Sequence, residues 1–181
     1  MSLEEVRSCI DRIDSQVKDL LMERLDCSVQ VVRAKQQQGS TQIFRPDREV
    51  QVLQRLGQGV PQDRLAPYLG VVRKVMETSR VYQYGILLED DPELFSQVAG
   101  CQLCSGPTSR VTVRATLPDR CGALPDVLSV VGDYRVDLER MVQEGTSLQM
   151  VLRADASQPS ARALLFQLAK ECSDFAVVDC A

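Results

Sequence analysis

The chain of 181 residues has no histidine and no tryptophan, and aromatic residues make up only 4% of it. Without histidine it lacks the commonest general base, the Ser-His and Cys-His nucleophile pairs, and the commonest metal ligand. This narrows the catalytic routes open to the chain, and we expect no metal and no cofactor. The scarcity of aromatic residues predicts a mostly aliphatic core.

Three further absences exclude broad classes of protein. No uninterrupted apolar stretch approaches the ~18 residues of a membrane span, so no membrane association is expected. The net charge is -4 with no cluster of Lys or Arg, which argues against a nucleic-acid partner. The first residues, MSLEEVRSCIDRID, contain no basic segment followed by an apolar run, so they do not read as a signal peptide. A cytoplasmic location is expected.

The seven cysteines are odd in number and scattered, which is typical of reduced cytosolic thiols. Cys101 and Cys104 form the one suggestive pair. They are either two small residues in a linker or a redox or metal pair, although a structural zinc site would need four ligands and no second pair exists.

Three helices are predicted in the first half of the chain. Apolar residues recur in steps of three and four from Val6 to Val32, which predicts one helix over residues 3–37. At 1.5 Å per residue it would be about 50 Å long, too long for one small domain to cover, so we expect a partner chain. A second helix is predicted from Pro46 to the glycines at 57 and 59, and a third over residues 63–87, with Tyr82 on its apolar stripe.

The second half changes from a helical period to a strand period. Residues 88–108 are acidic and then rich in small and turn residues, as in a linker. The order strand, helix, strand, strand, helix, strand follows, with strands near 111–115, 134–142, 148–154 and 175–180 and helices over 123–131 and 159–172. This βαββαβ order is typical of ferredoxin-like domains. The predicted fold class is therefore α+β, with domains at 1–88 and 109–181 and a linker at 89–108.

Several polar residues flank the apolar stripes rather than oppose them. Arg24 and Lys35 are eleven residues apart, which returns them to within ~20° of one helix face, roughly 16 Å apart. Arg7 lies about 25 Å before Arg24 on the same helix, so it can serve the same pocket only from a second copy. Ser79 and Gln83 share one face of the third helix. Each could be a solvated residue, but together such groups suit a small dicarboxylate.

These residues carry a specific resemblance. The run LEEVRSCIDRIDSQVKDLLMERLDCSVQVVRAK, followed by PDRE and SRVYQ, resembles the all-helical chorismate mutase family over roughly residues 2–88. The family pattern has an Arg before an Ile-Asp-x-Ile-Asp-like step, then Glu-Arg, a Lys eleven residues on, Arg-Glu opening the second helix, and Ser-x-x-x-Gln closing the third. The matching residues here are Arg7, Glu23, Arg24, Lys35, Arg48, Glu49, Ser79 and Gln83.

The resemblance implies an intertwined all-helical homodimer that converts chorismate to prephenate in phenylalanine and tyrosine biosynthesis. Arg24, Arg48 and the partner's Arg7 are implied to hold the two carboxylates, and Lys35 and Gln83 to donate to the ether oxygen. Glu49 and Ser79 are implied to orient the ring hydroxyl and one carboxylate. Arg45 stands where many members have a carboxylate or amide, three residues before the Arg of the Arg-Glu pair.

Residues 109–181 resemble an ACT domain, a small module that often binds an amino-acid effector. Gly122, Ala123 and Leu124 match the loop at the start of its first helix, where glycine permits close approach to a ligand. An equally weighted interpretation is that Gly122 only makes a tight turn. The chain has Val142-Gln143-Glu144-Gly145 near the position where phenylalanine-binding members carry Glu-Ser-Arg-Pro, so the identity of the effector stays open.

Two other functions stay open at this point. Isochorismate-pyruvate lyases resemble the same fold with similar Arg and Lys contacts, and substrate turnover would separate them from mutases. A protein of another class, a non-catalytic amino-acid-sensing regulator on the mutase scaffold, is favoured only by Arg45.

Overall fold

A computed structural model describes residues 2–181 and shows an α+β chain. Its internal contacts divide it into two compact units, Met1–Ser40 and Thr41–Ala181. The second unit includes the two shorter N-terminal helices as well as the sheet. The boundaries at 88 and 109 proposed from the sequence stay a prediction.

The first unit is built around α1, Leu3–Gln37, and this confirms the long helix expected from the apolar period. Ser2 caps it: the Ser2 hydroxyl accepts from the Glu5 amide at 3.2 Å, and the Glu5 carboxylate accepts from the Ser2 amide at 2.6 Å. The chain leaves the helix through Gly39 at φ 68°. The apolar side chains of its N-terminal half are exposed; they are Leu3, Val6, Ile10, Ile13, Val17 and Leu20.

In the second unit, α2 spans Pro46–Gly57 and α3 spans Gln62–Asp90, three residues beyond the predicted end. The ring of Pro46 sits in the first turn of α2, where its missing N–H costs nothing. The buried face of α3 contains Met76, Arg80, Tyr84 and Leu87. The prediction of a buried Tyr82 was wrong, because Tyr82 is 43% exposed whereas Tyr84 is fully buried.

Residues that follow α3 are packed rather than extended. This segment forms two 3-10 helices, Pro92–Gln97 and Cys101–Cys104. Phe95 and Cys104 within them and Val98 between them are buried. Between them the Ala99 carbonyl accepts from the Val177 amide at 2.8 Å, so this segment is pinned to the last strand.

The sheet has four antiparallel strands: β1 (Val111–Thr116), β2 (Asp137–Glu144), β3 (Ser147–Arg153) and β4 (Ser173–Cys180). The helices α4 (Ala123–Asp133) and α5 (Pro159–Glu171) complete the βαββαβ order predicted from the sequence. The order in space is β2-β3-β1-β4, so β1 and β3 are central. The start of β2 was predicted too early, because Arg135 adopts a left-handed conformation (φ 55°) that turns the chain after α4. The ferredoxin-like order is present, while the identity as an ACT domain stays a prediction.

One face of the sheet is covered by α4 and α5. Alternating residues of the central strands are buried, for example Val111 and Val113 on β1 and Leu148 and Met150 on β3. The other side of α5 packs against α3, where the rings of Tyr84 and Phe166 meet edge to face at 6.0 Å. The second unit thus joins α3 to the helical layer of the sheet.

Candidate functional site

Arg7, Arg24 and Lys35 all project from α1. Arg24 and Lys35 are half-buried, and the unbroken helix between them retains the three-turn spacing that places both on nearly one face. Arg7 is exposed and lies 3.8 Å from Glu4, an exposed ion pair of little energetic weight. The same unbroken helix keeps Arg7 about 25 Å from Arg24 within one chain.

The predicted residues of the second unit lie on α2 and α3. Arg48 is exposed in the first turn of α2, and Gln83 is half-buried on α3. Ser79 is buried, and its hydroxyl donates to the Val75 carbonyl one turn earlier at 3.0 Å. The described contacts do not join Arg48, Ser79 or Gln83 directly to one another, so their predicted roles stay predictions.

Glu49 is engaged by a residue that the sequence analysis did not single out. The guanidinium of Arg80 forms a short ion pair with Glu49 and a second one with Glu171 at 3.2 Å. Arg80 also lies over the ring of Phe44, 4.7 Å from its centroid. Its side chain is 8% exposed, against 23% for Glu49 and 9% for Glu171. We call this group the Arg80 triad (Glu49, Arg80 and Glu171).

The pKa values of two members, Arg80 and Glu171, are shifted. Burial alone would lower the pKa of Arg80, but the carboxylates of Glu171 and Glu49 outweigh it, and the pKa is raised. Burial raises the pKa of Glu171 to about 6, and Arg80 opposes that shift only in part. Arg80 is therefore a fixed cation, while Glu171 is a carboxylate that takes up a proton as the pH falls through about 6.

A signal for Arg80 did exist in the sequence. Met76, Arg80 and Tyr84 follow one another at steps of four, so a cation interrupts the buried stripe of α3. A charged residue at such a position needs buried partners. Glu171 lies 91 positions away in the sequence and could not be named from it.

A cavity of about 390 Å³ lies beside the triad. It is lined by residues from α2, α3, α4 and α5, including all three triad members and Ala123 at the start of α4. Gly122 precedes it with φ 86°, a conformation that favours glycine, and Arg120 in the same loop pairs with Asp126 at 2.7 Å. Ala123 is buried and Leu124 half-buried. Ala123 of the predicted effector loop and the predicted site residue Glu49 thus border the same space.

A second connection joins α3 to α4. Lys74 forms a short ion pair with Asp133 and lies 3.5 Å from Glu77, and the Ser129 hydroxyl donates to Glu77 at 2.9 Å. Because Glu77 and Ser129 belong to different helices, this network and the Arg80 triad fix α3 to the helices of the sheet at two separate points.

The Cys101 and Cys104 pair is not joined in the structure. The Cys104 thiol lies 3.4 Å from that of Cys180 on β4, whereas the Cys101 thiol donates to the Ser96 carbonyl at 3.5 Å. Burial, and then the hydrogen bond with Cys180, raises the pKa of Cys104 to about 12. No helix within residues 2–181 is long and apolar enough to cross a membrane.

Comparison with known families addresses the region that holds α1, α2 and most of α3. Residues 6–84 match the model of the chorismate mutase type II family. The matched region contains every residue of the predicted substrate site, from Arg7 to Gln83. It ends before the sheet, for which no family is identified. No curated protein and no solved structure was found to be similar to the chain.

Proposed function

We propose that this protein is a chorismate mutase, an intramolecular isomerase that converts chorismate to prephenate. The observation that carries the proposal is the match of residues 6–84 to the chorismate mutase type II family. The residues that the reaction would use all fall inside that match; they are Arg7, Arg24, Lys35, Arg48, Glu49, Ser79 and Gln83.

The chemistry suits a site made of fixed charges. The rearrangement occurs within one molecule, and it needs neither a proton transfer nor a nucleophile. Arg24 and Arg48, with Arg7 of a second copy, would hold the two carboxylates in the reactive conformer. Positioning of this kind supplies at most about 7–11 kcal/mol. Lys35 and Gln83 would donate to the ether oxygen as its bond breaks, and one such donor is typically worth about 2.7–4 kcal/mol.

The proposal includes a dimer, in which Arg7 of one chain serves the site of the other. Within one helix Arg7 stays about 25 Å from Arg24, so it can serve the same substrate only from another copy of the chain. The exposed apolar side chains along the N-terminal half of α1, such as Ile10 and Ile13, support a covering partner. Arg7→Ala and Arg24→Ala should each abolish activity, and a mixture of the two chains should recover part of it. Absence of recovery in a proven heterodimer would contradict a shared site.

The test of the catalytic role is Lys35→Ala. We follow the loss of chorismate absorbance and identify prephenate as the product. We expect kcat to fall by roughly 10²–10³ with the fold retained, as for removal of one preorganised donor. Lys18→Ala is the matched control, because Lys18 is exposed on the same helix and is outside the proposed site. Wild-type kcat in Lys35→Ala would refute the role of Lys35.

We further propose that residues 109–181 regulate the mutase by binding a small effector, an amino acid, at Gly122 to Leu124. The shared cavity and the two charged networks that bind α3 to α4 and α5 support this coupling. An effector beside Ala123 would disturb Arg80 and through it Glu49. Kinetics measured with each of the twenty amino acids test the idea, and identical kinetics in all twenty would contradict it.

One observation favours a non-catalytic alternative. The Glu49 carboxylate already pairs with Arg80, which competes with any contact to a substrate hydroxyl. A folded dimer that binds an amino acid but leaves chorismate unchanged would support a regulatory protein on the same scaffold. Release of pyruvate from isochorismate would instead identify a lyase.

A further inference from the structure

A second cavity lies on the other side of α3 from the Arg80 triad. It has a volume of about 670 Å³ and is formed by the C-terminal half of α3, the first 3-10 helix and the beginning of α5. Most of its wall is apolar, with Ile86, Leu88 and Phe95 among the lining residues. A volume in this range suits a small organic ligand.

The cation that lines this cavity, Arg162, forms no ion pair with a carboxylate of residues 2–181. Arg162 on α5 lines the wall, and its Nε donates to the Ala156 carbonyl at 3.0 Å. Its guanidinium lies over the ring of Phe95 at 5.2 Å from the centroid. Among residues 2–181, no side chain or carbonyl accepts from its two terminal amino groups. Two contacts therefore position Arg162, and four of its five N–H donors remain unused.

Two hydroxyl groups of the wall differ from Arg162 in this respect. The Tyr134 hydroxyl donates to Gln167 at 2.9 Å, and the Ser157 hydroxyl donates to Asp155 at 2.7 Å, so both already have partners. Glu89 is the carboxylate that lines the cavity. A preorganised guanidinium beside an apolar wall matches a ligand with one carboxylate on an apolar body.

We propose that this cavity binds a small carboxylate with an apolar or aromatic body. Arg162 holds the carboxylate through its two terminal amino groups, and the side chains of Ile86, Leu88 and Phe95 cover the body. Glu89 is the group that would accept from an ammonium if the ligand is an amino acid. The site is separate from the Gly122 loop and does not depend on mutase activity.

Binding is measured by titration calorimetry on the full chain, because the chain has no tryptophan to report on it. The probes are 3-phenylpropionate and phenethylamine, which share an apolar body but carry opposite charges. We expect 3-phenylpropionate to bind more tightly than phenethylamine, whose ammonium can contact Glu89 but has no use for Arg162. Arg162→Gln should lower the affinity for 3-phenylpropionate by about 10- to 100-fold, the range expected for lost hydrogen bonds to a charged group. Arg153→Gln, an exposed arginine on β3, is the control and should leave the affinity unchanged.

A second variant tests the cavity without touching its charge. Gly85 lines the wall, and a Cβ there meets no atom within 4 Å, so Gly85→Leu projects into open space on a helix that prefers leucine. Gly70→Leu is its match, because Gly70 lies on the same helix with the same free space but does not line the cavity. Gly85→Leu should abolish binding and Gly70→Leu should not. The proposal is overturned if Gly85→Leu and Arg162→Gln bind 3-phenylpropionate as tightly as the wild type does. It is also overturned if the wild type binds phenethylamine as tightly as 3-phenylpropionate.

L-phenylalanine distinguishes the two sources of such a carboxylate. If L-phenylalanine binds more tightly than 3-phenylpropionate, and Glu89→Gln removes that difference, the site is assigned to amino acids. Equal binding of the two assigns it to simple carboxylates. Because the measurement is of binding, its failure is independent of whether the chain converts chorismate.

Discussion

Removal of the cation at the centre of the Arg80 triad should expose how much the second unit depends on it. Arg80→Met keeps the length and the apolar stem of the side chain but leaves Glu171 and Glu49 without their partner. Breaking a buried ion pair from one side typically costs about 3–5 kcal/mol, because the remaining charge stays desolvated. Glu49 is the more exposed carboxylate and can turn to water, so we expect about 3 kcal/mol, close to the lower limit.

The loss should depend on pH in a defined direction. Arg80 lowers the pKa of Glu171 toward its ordinary value, so its removal raises that pKa further above the present value of about 6. At about pH 5 the variant can protonate Glu171 readily and avoid the buried charge, whereas at about pH 8 the same protonation costs more free energy. The destabilisation should therefore be larger at pH 8, and adding Glu171→Gln to the variant should recover part of the loss there.

The assay is urea denaturation followed by circular dichroism at both pH values, with the free energy of unfolding taken from the transition where it is two-state. Arg73→Met is the control, because Arg73 is an exposed arginine on the same helix that lines the same cavity. A loss below about 1 kcal/mol that is equal at the two pH values would refute the view that Arg80 stabilises this unit by neutralising buried carboxylates.

Three other predictions follow from single contacts. Glu171 has a pKa raised from 4.5 to about 6, so the folded protein binds its proton more tightly than the unfolded chain does. At about 1.36 kcal/mol per pH unit, the wild-type free energy of unfolding should therefore fall by about 2 kcal/mol as the pH rises through that interval. Glu171→Gln should make the free energy of unfolding less dependent on pH there. Cys104 should resist alkylation at pH 8 in the folded protein, while exposed Cys121 reacts, as peptide mass mapping would show; equal labelling would contradict the burial of Cys104. Gly100→Ala should unfold or severely destabilise the chain, because the added Cβ would overlap the Val177 carbonyl oxygen. Gly145 has a similar positive φ but free space around it, so Gly145→Ala should lower the free energy of unfolding by only about 1–2 kcal/mol, as measured by thermal denaturation.

The sequence by itself determined the helices of the first half, the βαββαβ order and the segment that matches a known family. The apolar periods of α1 and of β1 are local properties, because each residue's environment is set by neighbours three or four positions away in a helix, or two in a strand. The position of Lys35 relative to Arg24 is local for the same reason. These features needed no knowledge of what lies beyond each element.

Tertiary structure decided the partners of the charged residues. Glu49 was assigned to a substrate from its place in a motif, yet its carboxylate pairs with Arg80, which in turn pairs with Glu171 on α5. Cys104 contacts Cys180 on the last strand rather than its sequence neighbour Cys101. Tyr84 is buried instead of Tyr82 because α3 packs on α5, and the period of one helix does not specify which side another helix will cover. Such contacts join residues separated by tens of positions, and their energies depend on burial, which arises only when the elements pack together.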